Sequence, residues 1–294
     1  MEKKRKGLRA EAVMAIIIVF QLIALGVLCC YCMPYFGAEE DPGYVLRERP
    51  PVTLPTVPEE TVPEETLPEP EKNPYGKMDF QYEGRYFGCL EEKTIPGVDV
   101  STYQGNINWQ QVADSGIKFA IIRLGYRGYG TGALVEDTYF RANLNGALNA
   151  GLKVGVYFFS QALNAQEAVE EANFVLERIR GYDITMPVVF DWEYISEEAR
   201  TADMDRRTLT DCYKAFCDHI AAAGYTPMSY FNTFQSRKDI FIQELEQYPY
   251  WLALYSHRMT FPYKIDMWQY TCTGKVPGIQ GDVDINMYFT GEEK

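Results

Sequence analysis

Two carboxylic acids two residues apart close the apolar run Pro187-Val188-Val189-Phe190-Asp191-Trp192-Glu193. In a strand, side chains alternate across the backbone, so Asp191 and Glu193 project to one side and Trp192 to the other. Two acids held close together cannot both ionise cheaply. One pKa rises, leaving a proton donor beside an ionised neighbour at neutral pH, which is the arrangement glycosidic cleavage uses. A single Asp-x-Glu is equally compatible with a helix cap followed by a surface acid. Two more acids sit in similar settings: Asp99 in Gly97-Val98-Asp99-Val100-Ser101 and Asp284 in Asp282-Val283-Asp284-Ile285-Asn286. In a closed barrel the first and last strands are neighbours, so Asp99 and Asp284 should meet at the C-terminal mouth, where barrel enzymes keep their sites. Each acid alone could serve a structural salt bridge, but joint placement at the ends of three strands favours a site.

The elements that must position these acids follow from the hydrophobic pattern. Short β-rich apolar runs fall at residues 97–100, 119–124, 153–159, 187–192, 228–231, 250–255, 265–270 and 282–285. Helical periodicity fills several gaps, at 109–115, 139–150, 165–180 and 208–223. Alternating β and α segments imply parallel strands. Eight strands suggest an α/β fold of the TIM type, an irregular (β/α) barrel because the later connections are too short for full helices. A doubly wound open sheet is the alternative.

These segments also carry a resemblance. Gly97-Val98-Asp99-Val100-Ser101-Thr102-Tyr103-Gln104-Gly105-Asn106-Ile107-Asn108-Trp109 resembles the first-strand motif of glycoside hydrolase family 25, the β/α-barrel muramidases. Ala120-Ile121-Ile122-Arg123, Gly155-Val156-Tyr157-Phe158-Phe159-Ser160, Phe190-Asp191-Trp192-Glu193, Trp268-Gln269-Tyr270 and Val283-Asp284-Ile285-Asn286 follow in that family's order. The resemblance implies hydrolysis of β-1,4 bonds between N-acetylmuramic acid and N-acetylglucosamine in peptidoglycan, with no cofactor and no metal. It implies Glu193 as the general acid and Asp191 as the group that orients an assisting 2-acetamido group, with Asp99 and Asp284 supporting the site. Tyr157 and Tyr230 are candidate hydrogen-bond donors to the substrate. In a direct inverting reaction Asp284 or Asp99 would instead activate water, with paired carboxyl groups roughly 6.5–9.5 Å apart. Trp251, Tyr255 and Trp268 lie near late strands, where they either line a sugar groove or pack in the core. A non-catalytic glycan-binding module and a component of a wall or export assembly are the competing functions. Four retained acids argue against the first, and the span shows no small-xxx-small face for the second.

The rest of the 294-residue chain bears on location. Residues 1–11 carry Lys3, Lys4, Arg5, Lys6 and Arg9, and residues 12–33 are almost continuously apolar, long enough to cross a hydrocarbon core of roughly 30 Å. The basic cluster should stay cytoplasmic, which makes 12–33 a single-pass anchor and places the rest outside. A cleaved signal peptide is disfavoured, since the run is long and no small-x-small site follows. Residues 34–75 are rich in Pro and Glu, as in Val57-Pro58-Glu59-Glu60-Thr61-Val62-Pro63-Glu64-Glu65. Such a linker stiffens and extends, reaching up to about 100 Å, and leaves residues 76–294 as the barrel domain. No wall-binding repeats are recognisable after it, so anchor and stalk are expected to supply proximity to the wall. The net charge of -13 argues against a nucleic-acid partner, since phosphate binding needs a basic surface. A monomer is expected. Cys29, Cys30 and Cys32 read as apolar filler of the span. Cys89, Cys212, Cys217 and Cys272 permit a disulfide, but Cys212 and Cys217 point apart on one helix. His219 and His257 fit neither a metal site nor a catalytic triad.

Overall fold

The computed structural model describes residues 68–76 and 79–293. The basic segment 1–11, the apolar span 12–33 and the linker as far as residue 67 lie outside the described residues. Among the described residues, no helix is long and apolar enough to cross a membrane.

A hairpin, β1 (Phe80–Glu83) and β2 (Tyr86–Cys89), precedes the barrel. Then come β3 (Glu92–Val100), helix α1 (Trp109–Asp114), β4 (Phe119–Arg127), the short β5 (Leu134–Glu136), α2 (Phe140–Asn149), β6 (Lys153–Ser160) and α3 (Ala165–Ile179). The chain continues with β7 (Val188–Trp192), α4 (Arg206–Ala222), β8 (Pro227–Asn232), the single-turn α5 (Gln235–Lys238), β9 (Tyr250–Ala253), β10 (Met267–Gly274) and β11 (Val283–Glu293). Around the ring the order is β3-β11-β10-β9-β8-β7-β6-β4, closed by the β3–β4 pairing, with β5 appended to β4. The barrel thus has eight staves, each overlapping one of the eight expected runs.

The expectation of parallel strands needs one correction. β11 runs antiparallel to both β10 and β3, while the other barrel pairs are parallel. A parallel crossover requires a long connection, usually helical. Only residues 275–282 join β10 to β11, and so short a link returns the chain in the opposite direction. No α-helix separates β9 from β10 either, as the short late connections foretold.

Period-two alternation sorts side chains between two cores. Phe119, Ile121, Tyr157, Val189, Met228, Tyr230, Trp251 and Met267 fill the barrel interior. Ala120, Ile122, Val156, Phe158, Phe190 and Trp192 face the helices, where Phe190 meets Tyr213 edge-on at 4.6 Å. Gly97 is dictated by this interior: a Cβ there would lie 2.3 Å from the Phe119 ring.

The hairpin takes the place of a helix over β10, with Phe80 and Phe87 packed on Trp268 at 5.1 and 5.8 Å. Part of the segment assigned by composition to the linker also lies on the barrel. The amide of Asn73 donates to Pro262 O, that of Lys264 to Glu71 O, and Pro70 is buried. Composition alone cannot show where a linker ends, and the backbone around residues 71–73 pairs with the loop at 262–264. The four described cysteines are free thiols. His219 bonds Asn173 and His257 bonds the Tyr82 hydroxyl, both peripheral contacts.

Candidate active site

Every stave of the barrel sends at least one polar or aromatic side chain into the mouth at the C-terminal ends of the parallel strands. Asp99 comes from β3, Arg123 from β4, Tyr157 from β6, Asp191 from β7, Tyr230 from β8, Trp251 from β9, Gln269 from β10, and Asp284 with Asn286 from β11. Each lies on the inward parity of its strand, above the apolar layers that close the floor. Glu193 follows directly after β7.

Asp284 reaches this mouth differently from the other acids. It was expected at a strand's C-terminal end but is the second residue of β11. Because β11 is antiparallel, its start lies beside the ends of the parallel strands, and Asp284 becomes the register partner of Asp99.

Asp99 is held by two amides. Gln269 Nε2 donates to its Oδ2 at 2.9 Å and Asn286 Nδ2 to the same oxygen at 2.7 Å. Neither amide can turn round, because its own oxygen is occupied. Trp251 Nε1 donates to Asn286 Oδ1 at 2.8 Å, and the hydroxyls of Tyr230 and Tyr255 donate to Gln269 Oε1 at 3.1 and 3.0 Å. Two converging donors favour an ionised acceptor. Burial pushes the Asp99 carboxyl up, but these bonds restrain it to about 6.

The other three acids lack such donors. Burial, followed by the charge of Asp99, pushes Glu193 up to about 8. Burial, Asp99 and Glu193 push Asp284 up to about 9. Asp191 is raised well above the carboxylate range by burial, Glu193 and Asp99, with Arg123 opposing. Asp191 Oδ1, Glu193 Oε1 and Asp284 Oδ1 are buried oxygens without a hydrogen-bond partner in the protein. Buried polar atoms are almost always paired, so three orphaned oxygens in one mouth mark a place shaped for an incoming polar molecule. Near neutral pH the cluster can offer protons from Glu193 beside the ionised Asp99.

The proposed sugar contacts separate into four positions. Tyr157 and Tyr230 line the inner wall, and burial holds the Tyr157 hydroxyl neutral despite Arg123 nearby. Trp251 is the register partner of Tyr230, with its ring 4.8 Å away, and acts through Asn286. Tyr255 is at the rim with its ring 36% exposed. Trp268 has the opposite parity: it is buried beneath the hairpin and donates to Leu254 O, away from the mouth. Its neighbour Gln269 takes the inward position. A tryptophan beside a polar residue in an apolar strand suggests a sugar platform, but strand parity decides which of the two faces the mouth.

Apart from Tyr255, the residues of two groups had no role assigned from sequence. Arg123, Gln269 and Asn286 are polar residues at inward parity in otherwise apolar strands, which was the available signal. Tyr103, Leu163, Phe234 and Tyr255 are exposed large apolar side chains, and each follows a barrel strand by two or three residues, after β3, β6, β8 and β9. They form a discontinuous apolar rim around the acids. Apart from Tyr103, which lies in the first-strand motif, no local motif marks them, because only the barrel brings these loops together.

Comparison with known proteins gives a consistent picture. The family model described as glycosyl hydrolases family 25 matches residues 98–279, a stretch containing Asp99, Asp191 and Glu193 and ending short of Asp284. Lysozyme M1 of Streptomyces globisporus is 29% identical over 217 residues, covering 69% of this chain and 71% of the relative. A bacterial lysozyme from Streptomyces coelicolor superposes with a TM-score of 0.54 at 25% identity, over 67% of this chain and 93% of that one. The modular autolysin LytC from Streptococcus pneumoniae, in complex with a synthetic peptidoglycan ligand, superposes with a TM-score of 0.57 at 27% identity; 67% of this chain spans 47% of that one.

Proposed function

The chain belongs to glycosyl hydrolases family 25 and is a glycoside hydrolase, and from that premise we propose that it is a muramidase cleaving the β-1,4 bond between N-acetylmuramic acid and N-acetylglucosamine in peptidoglycan. The observation that carries this reading is the division of labour among buried carboxyl groups. Asp99 is bonded to stay charged, while Glu193, beside it and without donors, keeps its proton to about pH 8.

In the proposed reaction Glu193 protonates the leaving glycosidic oxygen. Asp191, whose Oδ1 is unpartnered, accepts the N–H of the 2-acetamido group and orients that group toward the anomeric carbon. Asp99 supplies the negative charge that stabilises the developing oxocarbenium ion, and Asp284 shares its proton with the cluster. Tyr157 and Tyr230 face the sugar, and the rim of Tyr103, Phe234 and Tyr255 stacks on flanking residues of the strand. The lysozymes among its relatives and the autolysin with its peptidoglycan ligand support this substrate class. We further propose that residues 12–33 anchor the monomeric protein in the cell membrane, with the barrel outside and the linker spanning toward the wall.

The test is digestion of purified peptidoglycan with mass spectrometry of the new ends. Reducing ends on muramic acid are expected. Glucosamine ends, or cleaved peptide bonds, would overturn the reading. Membrane fractionation with external protease, expected to release the barrel from intact protoplasts, tests the anchor.

A further inference from the structure

We propose that two buried glutamines, Gln161 and Gln235, are positioning residues that fix the general acid by extending the sheet past the last backbone pairing of β7. The inference rests on Glu193 being that acid.

Glu193 lies one residue beyond β7, where strand pairing no longer constrains it. The last register partners of β7 are Trp192 with Ser160 on β6, and Asp191 with Tyr230 on β8. Past that point, side-chain amides bridge the strands on both sides. On the β8 side, Gln235 Nε2 donates to Trp192 O at 2.5 Å, while Gln235 Oε1 accepts from the amide of Asn232 at 2.8 Å. One side chain thus supplies both halves of a bridge between β7 and β8. On the β6 side, Gln161 Nε2 donates to Ser160 O at 2.9 Å and, at 3.4 Å, to Glu193 O itself. Its Oε1 accepts the hydroxyl of Thr201 at 2.6 Å, tying down the loop that follows the acid.

All three side chains are buried, and both glutamines use donor and acceptor together, so their orientations are determined. Support continues outward on the β6 side. Glu171 accepts from Arg127 Nε at 2.8 Å, and also from the Ser160 hydroxyl and the backbone amide of Gln161. The carboxyl of Glu193 itself receives no such support, with Oε1 unpartnered. The placement of its proton relative to Asp99 therefore depends on the backbone the glutamines hold. General acid catalysis is sensitive to that placement, with a displacement of roughly 1 Å costing on the order of 100-fold in rate.

The experiment measures kcat, KM, the pH dependence of kcat and thermal unfolding in the full chain. The variants are Gln235→Met, Gln161→Met and Thr201→Val, beside Glu193→Gln. The expected result is a fall in kcat of about tenfold or more with KM within about twofold, since the acid is displaced but the groove is not. The alkaline limb should also move to lower pH, because a loosened Glu193 gains solvent and releases its proton more readily. Thr201→Val deletes a single hydroxyl and keeps the test open if a methionine variant does not fold. Folded variants that lose only thermal stability, with kcat and the alkaline limb unchanged, overturn the inference. A Glu193→Gln enzyme that remains active overturns the assignment of the acid instead, so the two failures are distinguishable.

Discussion

Asp99 and Asp284 are register partners across the seam where the first and last strands close the barrel, yet only Asp99 is given side-chain hydrogen-bond donors. This asymmetry makes two adjacent carboxyl groups chemically different. The bonded one is restrained to about 6, while its partner is pushed up to about 9. Asp284 therefore remains protonated at neutral pH, where Asp99 is charged.

Replacing Asn286 by Leu should move the acidic limb of the kcat profile to higher pH. A hydrogen bond to a charged group contributes about 1.5–3 kcal/mol, so its loss should move the limb by about one pH unit or more. The wild-type limb is expected near 6, where Asp99 acquires its charge. A limb that stays in place after the substitution would remove Asp99 from the ionisations that matter.

Glu193→Gln should abolish cleavage while making the protein more stable at alkaline pH. Folding raises the Glu193 pKa from its ordinary value of 4.5 to about 8, so across that interval the native state binds more protons than the unfolded state. Stability accordingly falls as pH rises from about 4.5 to about 8. The uncharged amide is free of that loss. The variant's gain in Tm should be near zero at pH 4, grow through neutrality and level off above pH 8, at roughly 2–4 °C for each kcal/mol recovered. Equal gains at pH 4 and pH 8 would show that the Glu193 proton is not the cause.

The rim makes a separate prediction. Phe234 and Tyr103 are 39% and 50% exposed, so truncation to Ala opens no core cavity. Stacking on a sugar that is bound alike in ground and transition states changes KM and leaves kcat in place. Phe234→Ala should raise KM for soluble glycan fragments about five- to tenfold, the equivalent of roughly 1 kcal/mol, a usual worth for an aromatic contact. An unchanged KM across fragment lengths would remove Phe234 from the groove.

The sequence was most legible where periodicity and chemistry coincide. The strand carrying Asp191 and Glu193 could be recognised because an apolar run ends in two acids, and its parity then placed Trp192 among the helices. Asp284 was legible as a site residue but not as the start of an antiparallel strand, since strand direction depends on a loop whose path is nonlocal. Trp268 was left open between groove and core, since an aromatic ring suits both, and only register shows that Gln269 faces inward. The hairpin over β10 was missed because its strands are only four residues each and their burial depends on Trp268. Gln161 and Gln235 carry no sequence signal at all, because their partners are backbone carbonyls.

Beside the acids, Arg123 and Asp137 form a buried ion pair, with Arg123 Nε 2.8 Å from Asp137 Oδ2. The same oxygen accepts the amide of Thr102 at 3.0 Å, so the pair also fixes the loop after Asp99. Removing one member leaves the other charge stranded in the interior, a loss of about 3–5 kcal/mol. Arg123→Met should therefore destabilise the protein by that order. It should also raise Asp191 further, because the guanidinium is the cation that opposes its upward displacement. Replacing both residues, as Arg123→Met with Asp137→Leu, removes the stranded charge and should recover part of the lost stability without restoring activity, since the Thr102 amide then has no acceptor. Denaturant unfolding of the two single variants and the double variant measures the coupling directly. Additive losses would mean that the two charges do not depend on each other, and that the loop after Asp99 is held by something else.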